Sequence, residues 1–120
     1  MSSHLKIKKK NRDPDYPVKV YNKFCKGLIF IEDEEITVKV NQKFAKKYSA
    51  NYTINPKYWT DIPTLVSNDK EIKFIEEKSF YPYSRGTCGG DDVTIYVFKA
   101  TKKWTFQIKF DTETIKVIVN

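Results

Sequence analysis

The chain has 120 residues, 40% of them hydrophobic and 15% aromatic, with eight Tyr, eight Phe and two Trp. That is enough apolar surface for one two-layer core and too little length for two domains. Lys and Arg number 22 against 15 Asp and Glu, a formal charge of +7, and no apolar run approaches the roughly 18 residues a membrane-spanning helix needs. Two cysteines, Cys25 and Cys88, and one histidine, His4, exclude a disulfide-framework mini-protein and a tetrahedral zinc site.

Residues 1–16 hold Lys6, Lys8, Lys9, Lys10 and Arg12 against Asp13 and Asp15, a net of +3 that leaves +4 for the remaining 104 residues. The segment lacks apolar periodicity and runs into Asp13-Pro14-Asp15-Tyr16-Pro17. It reads as a basic, disordered tail, with a single domain over 17–120. No apolar stretch follows its lysines, so no export signal is legible and a cytoplasmic location is expected, with a secreted or lysosome-like compartment left open. The two cysteines read as reduced, partly buried thiols, and a disulfide between them also fits the sequence.

Beyond Pro17 the dominant period is two. Leu28-Ile29-Phe30-Ile31 is a dense apolar run of the kind found in central strands, and Glu35-Ile36-Thr37-Val38-Lys39-Val40 alternates as a half-buried strand does. Asn41 to Ala50 has a faint helical flavour, but Phe44, Ala45 and Tyr48 are too sparse for a helical stripe. Val93 to Ala100 is a second dense run, rich in β-branched and aromatic residues. In the run from Trp104 to Phe110 the alternation predicts Trp104, Phe106, Ile108 and Phe110 facing inward, and Ile115 to Val119 repeats the pattern. Polar clusters at Glu32-Asp33-Glu34, Thr101-Lys102-Lys103 and Asp111-Thr112-Glu113-Thr114 separate these runs. The expected result is an all-β antiparallel sandwich or barrel whose last three strands form a meander.

The residues for catalysis are missing from this frame. With no histidine inside the fold, a Ser–His or Cys–His pair is unavailable. No glycine loop leads into a helix to cradle phosphate, and no spacing suits a metal. Asp91 and Asp92 are neighbours, so a strand points them to opposite faces. The chain is expected to be non-enzymatic and to need no cofactor. Its most informative segment is Tyr81-Pro82-Tyr83-Ser84-Arg85-Gly86-Thr87-Cys88-Gly89-Gly90, which holds three of the four glycines. Glycines gather where backbone takes positive φ or where another group approaches closely.

The order of features resembles the chagasin-like inhibitors of papain-family cysteine proteases. Leu28 to Val40 lies against that family's opening hairpin without a gap, with Asp33-Glu34 where a Gly-Glu turn is usual. Thr87-Cys88-Gly89-Gly90 stands where the family carries Gly-x-Gly-Gly, and the spacing from Gly89 to Phe110 also matches without a gap. The resemblance covers roughly Val18 to Asn120 and implies an immunoglobulin-like β-sandwich. It also implies binding loops. Lys47-Tyr48-Ser49-Ala50-Asn51 before Tyr52 stands where the family has Asn-Pro-Thr-Thr-Gly before an aromatic residue, without the proline. The family's Arg-Pro-Trp loop is replaced by the turn Asp111 to Thr114.

The resemblance therefore implies a reversible inhibitor of a papain-like cysteine protease. Residues 47–52 would lie over the catalytic cysteine, and Gly86, Thr87, Cys88, Gly89 and Gly90 along the cleft wall through backbone hydrogen bonds. A second reading, from the positive charge, the Lys tail and the many aromatics, is a nucleic-acid-binding β-domain of the OB kind. A third is an interaction subunit that uses the sandwich for another protein. No membrane partner is expected.

Overall fold

The computed structural model describes residues 13–50, 62–87 and 90–120. Among these described residues, helix α1 (Tyr16–Cys25) precedes eight strands: β1 (Ile29–Phe30), β2 (Glu35–Val38), β3 (Lys43–Ala50), β4 (Leu65–Asn68), β5 (Ile72–Phe80), β6 (Asp92–Ala100), β7 (Trp104–Phe110) and β8 (Thr114–Val119). They form two four-stranded sheets, β1-β3-β6-β5 and β2-β8-β7-β4, packed as a sandwich. No helix among the described residues is long and apolar enough to cross a membrane.

The fold is mostly β, as the alternation predicts, but the sheets are mixed rather than purely antiparallel. β1 runs parallel to β3, and β2 parallel to β8. The expected opening hairpin is absent because β1 and β2 join different sheets, so Glu32-Asp33-Glu34 is a crossing between layers. The tight reversal comes later, where Asn41 adopts φ +68, Gln42 N–H donates to Lys39 O at 3.1 Å and Lys39 N–H donates to Gln42 Oε1 at 2.9 Å. Asparagine tolerates this left-handed backbone better than most residues. Leu28 to Ile31 contributes only a two-residue edge strand, not a central one.

The closing meander is also corrected. β6 already has β3 on one side and β5 on the other, which leaves no edge for β7. The Thr101-Lys102-Lys103 connection therefore carries the chain into the second sheet, and only β7 and β8 form the expected hairpin. Phe106, Ile108 and Phe110 are buried on one face as predicted, whereas Trp104 is 77% exposed. Its φ of +150 departs from strand geometry at the first residue of β7 and takes the indole out of register with the inward face.

α1 explains the density of the β6 sequence. Pro17 sits in the helix's first turn, where a missing N–H costs nothing, and Gly27 at φ +81 turns the chain out beyond its last turn. Asp13 to Tyr16, which the sequence assigned to the tail, are among the described residues, and Tyr16 opens the helix. Tyr21, Phe24 and Cys25 of the helix, with Leu28 behind it, cover Val93, Ile95 and Val97 on the outer face of the first sheet. Tyr96, Phe98 and Ala100 point the other way, into the core shared with Phe44, Phe106, Ile108, Phe110 and Val117. A strand buried on both faces reads as a continuous apolar run rather than an alternation. Cys25 is a free, half-buried thiol in the helix–sheet layer, and Cys88 lies outside the described residues.

Candidate functional site: the loop end of the sandwich

Strand register brings three connections to one end. Ala50 pairs with Asp92 and Phe80 with Val93, so the chain leaves β3 and β5 beside the start of β6. The β7–β8 turn reaches the same end through Tyr48 near the close of β3, whose hydroxyl donates to Glu113 Oε2 at 2.9 Å. Residues 62–64, which bring the chain back from 51–61, are tied to that turn as well. Thr64 N–H donates to Asp111 Oδ1 at 3.1 Å, Asp111 N–H donates to Thr64 O at 3.0 Å, and Tyr96 Oη donates to Pro63 O at 2.8 Å.

β3 sorts its residues by parity. Phe44, Lys46, Tyr48 and Ala50 face the second sheet, while Ala45, Lys47 and Ser49 face the helix side. Lys47 accordingly turns away from the loop end: its ammonium lies over the Phe30 ring and donates to Tyr21 Oη at 3.3 Å. Tyr48 packs edge-on against Phe110 and Tyr96. Burial, and then the Glu113 carboxylate, pushes its phenol far above the usual tyrosine value, so it stays neutral. Lys46, 9% exposed, lies 4.0 Å from Glu113 Oε1 and over the Tyr48 ring. Of the predicted first-loop residues, Ser49 is exposed and Ala50 is buried beside Asp92. Asn51 and Tyr52 lie outside the described residues.

The glycine loop is braced by its own tyrosines. Tyr81 Oη donates to Thr87 O at 3.0 Å and accepts from Gly90 N–H at 3.2 Å, joining the two arms. Tyr83 Oη accepts from Asp91 N–H at 3.2 Å, and its ring centroid lies 5.0 Å from that of Tyr81. Two glycines have separate physical reasons. Gly86 adopts φ +86 in a tight turn closed by Thr87 N–H donating to Ser84 O. Gly90 has no positive φ; a Cβ there would sit 2.5 Å from Tyr83 Cδ2 and Cε2. Cys88 and Gly89 lie outside the described residues. The loop is further tied to the start of the ordered chain, since Arg85 N–H donates to Pro14 O at 2.8 Å and Ser84 Oγ to Asp15 Oδ1 at 2.6 Å.

The structure thus brings Ala50, Gly90 and the β7–β8 turn to one end, with exposed Arg85, Gly86 and Thr87 on the loop beside them, and leaves Lys47 on another face. Sequence reasoning passed over Lys46, Asp111 and Glu113, although a strand assignment for β3 would have placed Lys46 on the face of Phe44 and Tyr48. Among the described residues, no group of three or more His, Cys, Asp or Glu side chains is arranged to hold a metal ion. No known protein family, no characterised protein and no solved structure matches the chain.

Proposed function

We propose that this chain is a non-enzymatic binding protein of the chagasin-like, immunoglobulin-fold type, and that the loops at one end of its sandwich form a wedge that reversibly inhibits a papain-like cysteine protease. The observation that carries the reading is the convergence of the β3–β4, β5–β6 and β7–β8 connections, anchored by the Ala50–Asp92 pair and the Tyr48–Glu113 hydrogen bond. Strand order supports the fold assignment. With β2 taken as the continuation of β1 into the opposite layer, the strand order follows the A-B-E-D and G-F-C of an immunoglobulin sandwich, although β1 runs parallel to β3 where that sheet is antiparallel.

On this reading the wedge acts without covalent chemistry. The segment that follows Ala50, beginning with Asn51 and Tyr52, lies over the catalytic cysteine, and Gly86 to Gly90 lie along the cleft wall. Thr87 O and the N–H groups of Thr87 and Gly90 are already engaged within the loop. The second loop therefore meets its partner as a preformed shape, which lowers the ordering cost of binding. The β7–β8 turn buttresses the first loop through Glu113 instead of supplying an Arg-Pro-Trp contact.

Inhibition assays against several papain-type proteases, with a serine protease as control, test the proposal. Reversible inhibition of the cysteine enzymes alone is the expected result. No effect at micromolar concentration on any of them would sink it.

A further inference from the structure

A second surface, lined by residues other than Lys47, lies along α1. The helix and β5 enclose an open groove of about 660 Å³ whose floor is formed by Tyr16, Val20 and Phe24. Three lysines rim it: Lys19 and Lys23, one turn apart on α1, and Lys78 on β5. Among the described residues of the lining, Asp13 alone carries a carboxylate, and it pairs with Lys19. That contact holds the Asp13 carboxyl below its usual range, so the pair contributes no net charge and Lys23 and Lys78 set the sign of the groove.

We propose that this groove docks an acidic segment of a partner protein that carries an aliphatic or aromatic anchor. The anchor side chain fills the space over Val20 and Phe24, and flanking carboxylates meet Lys23 and Lys78. Charge decides among the occupants. Residues 1–12 precede Asp13 in the sequence, but their Lys6, Lys8, Lys9, Lys10 and Arg12 carry the same sign as the basic rim and are repelled by it. The same five residues strengthen the field that steers an acidic partner. A nucleic acid would also satisfy the lysines, but a phosphate backbone would leave the apolar lining of Val20 and Phe24 uncovered, which an aliphatic or aromatic anchor fills. The groove's residues are not those of the loop wedge, so this proposal stands apart from protease inhibition.

The probe is a fluorescein-labelled peptide, Glu-Asp-Glu-Leu-Glu-Asp-Glu, titrated against the full chain at about 150 mM salt. Its controls are the peptide with Leu replaced by Ser and a single-stranded oligonucleotide of equal charge. Saturable binding of the Leu peptide is expected, with affinity weakened about tenfold or more by Lys23→Glu and by the Leu-to-Ser change. Lys23 is exposed on the helix, so that variant retains the fold, and circular dichroism verifies it. Lys78→Glu, which also removes a ring contact, is the second variant. Absence of binding overturns the proposal, as does binding indifferent to Lys23→Glu. Equal or tighter binding of the oligonucleotide overturns it in favour of the nucleic-acid reading. Binding lost only when residues 1–12 are deleted assigns the site to the tail and overturns it too.

Discussion

Tyr48 donates its phenolic hydrogen to Glu113 Oε2 across 2.9 Å, joining the last turn of one sheet's second strand to the hairpin that closes the other sheet. The two residues are far apart in sequence, and nothing in the sequence pairs them. Together they hold the β7–β8 turn against the end of β3 and so fix where the loop after Ala50 begins.

A neutral Tyr48 makes stability depend on alkaline pH. Burial first, and then the Glu113 carboxylate, raise its pKa above the usual 10 in the folded chain. Above pH 10 the unfolded chain releases this proton while the folded chain retains it, so deprotonation favours unfolding. The stabilisation is full below pH 10 and is lost as pH rises beyond it. Tyr96 shifts in the same direction, through burial and then the negative charges of Glu77 and Asp111. Tyr48→Phe removes one hydrogen bond, about 1 kcal/mol or somewhat more near neutrality, and should narrow its deficit against the parent as pH passes 10. Urea midpoints at pH 8 and above pH 10 check this, and a constant deficit would contradict it.

Glu113 also answers the charge of Lys46, whose side chain is 11% exposed. Removing one member of a buried pair strands the other without solvent. Glu113→Ala should therefore cost about 2–4 kcal/mol, at or below the range for a fully buried pair because Glu113 is partly open to water. Adding Lys46→Met to Glu113→Ala should recover much of that loss, because no lone charge remains. Chemical denaturation of both singles and the double gives the coupling directly. Additive losses would show that the 4.0 Å approach has no energetic weight.

The helix separates two truncations that look alike in sequence. Residues 1–12 contain few apolar side chains, and deleting them should change stability by less than about 1 kcal/mol. Deleting through Lys26 strips the cover from Val93, Ile95 and Val97 and should cause unfolding or aggregation. Phe24→Ala is the milder form of the second experiment, with an expected cost of about 2–3 kcal/mol for a partly buried ring packed on Phe80. Thermal melts of the three variants rank them.

Where the period was clear, the sequence was legible. Phe106, Ile108, Phe110, Ile115, Val117 and Val119 alternate and are all buried. The same rule failed at Trp104, because alternation carries no information about a first residue whose φ swings to +150. α1 was missed for a different reason. Its ten residues include Pro17, Val18 and Val20, poor helix formers that the tertiary contacts of Tyr21 and Phe24 outweigh. Sheet membership was the least legible feature. Short turns at Glu32-Asp33-Glu34 and Thr101-Lys102-Lys103 look like hairpin turns, and only the two occupied edges of β6 decide that the second one crosses between layers. At the site, the crowding of glycines between 86 and 90 marked a constrained loop, but nothing local revealed that Tyr81 and Tyr83 impose the constraint.

Those two tyrosines alter what a substitution in the glycine loop can report. A Cβ at Gly90 would sit 2.5 Å from the Tyr83 ring, so Gly90→Ala must displace the ring and loosen its bond to Asp91 N–H. Its effect on binding would then be confounded with damage to the loop. Thr87 is exposed and has no positive φ, and its main-chain bonds to Tyr81 and Ser84 do not depend on its side chain. Thr87→Arg should therefore leave the melting temperature nearly unchanged while adding bulk on the surface that the wedge presents. If the loop enters a protease cleft, inhibition should weaken at least about tenfold, about 1.4 kcal/mol. Gly90→Ala should weaken inhibition and lower the melting temperature together, and Tyr83→Ala in the same chain should relieve the clash without restoring the brace. Thr87→Arg that leaves inhibition untouched would remove the glycine loop from the interface and assign binding to the β3–β4 connection alone.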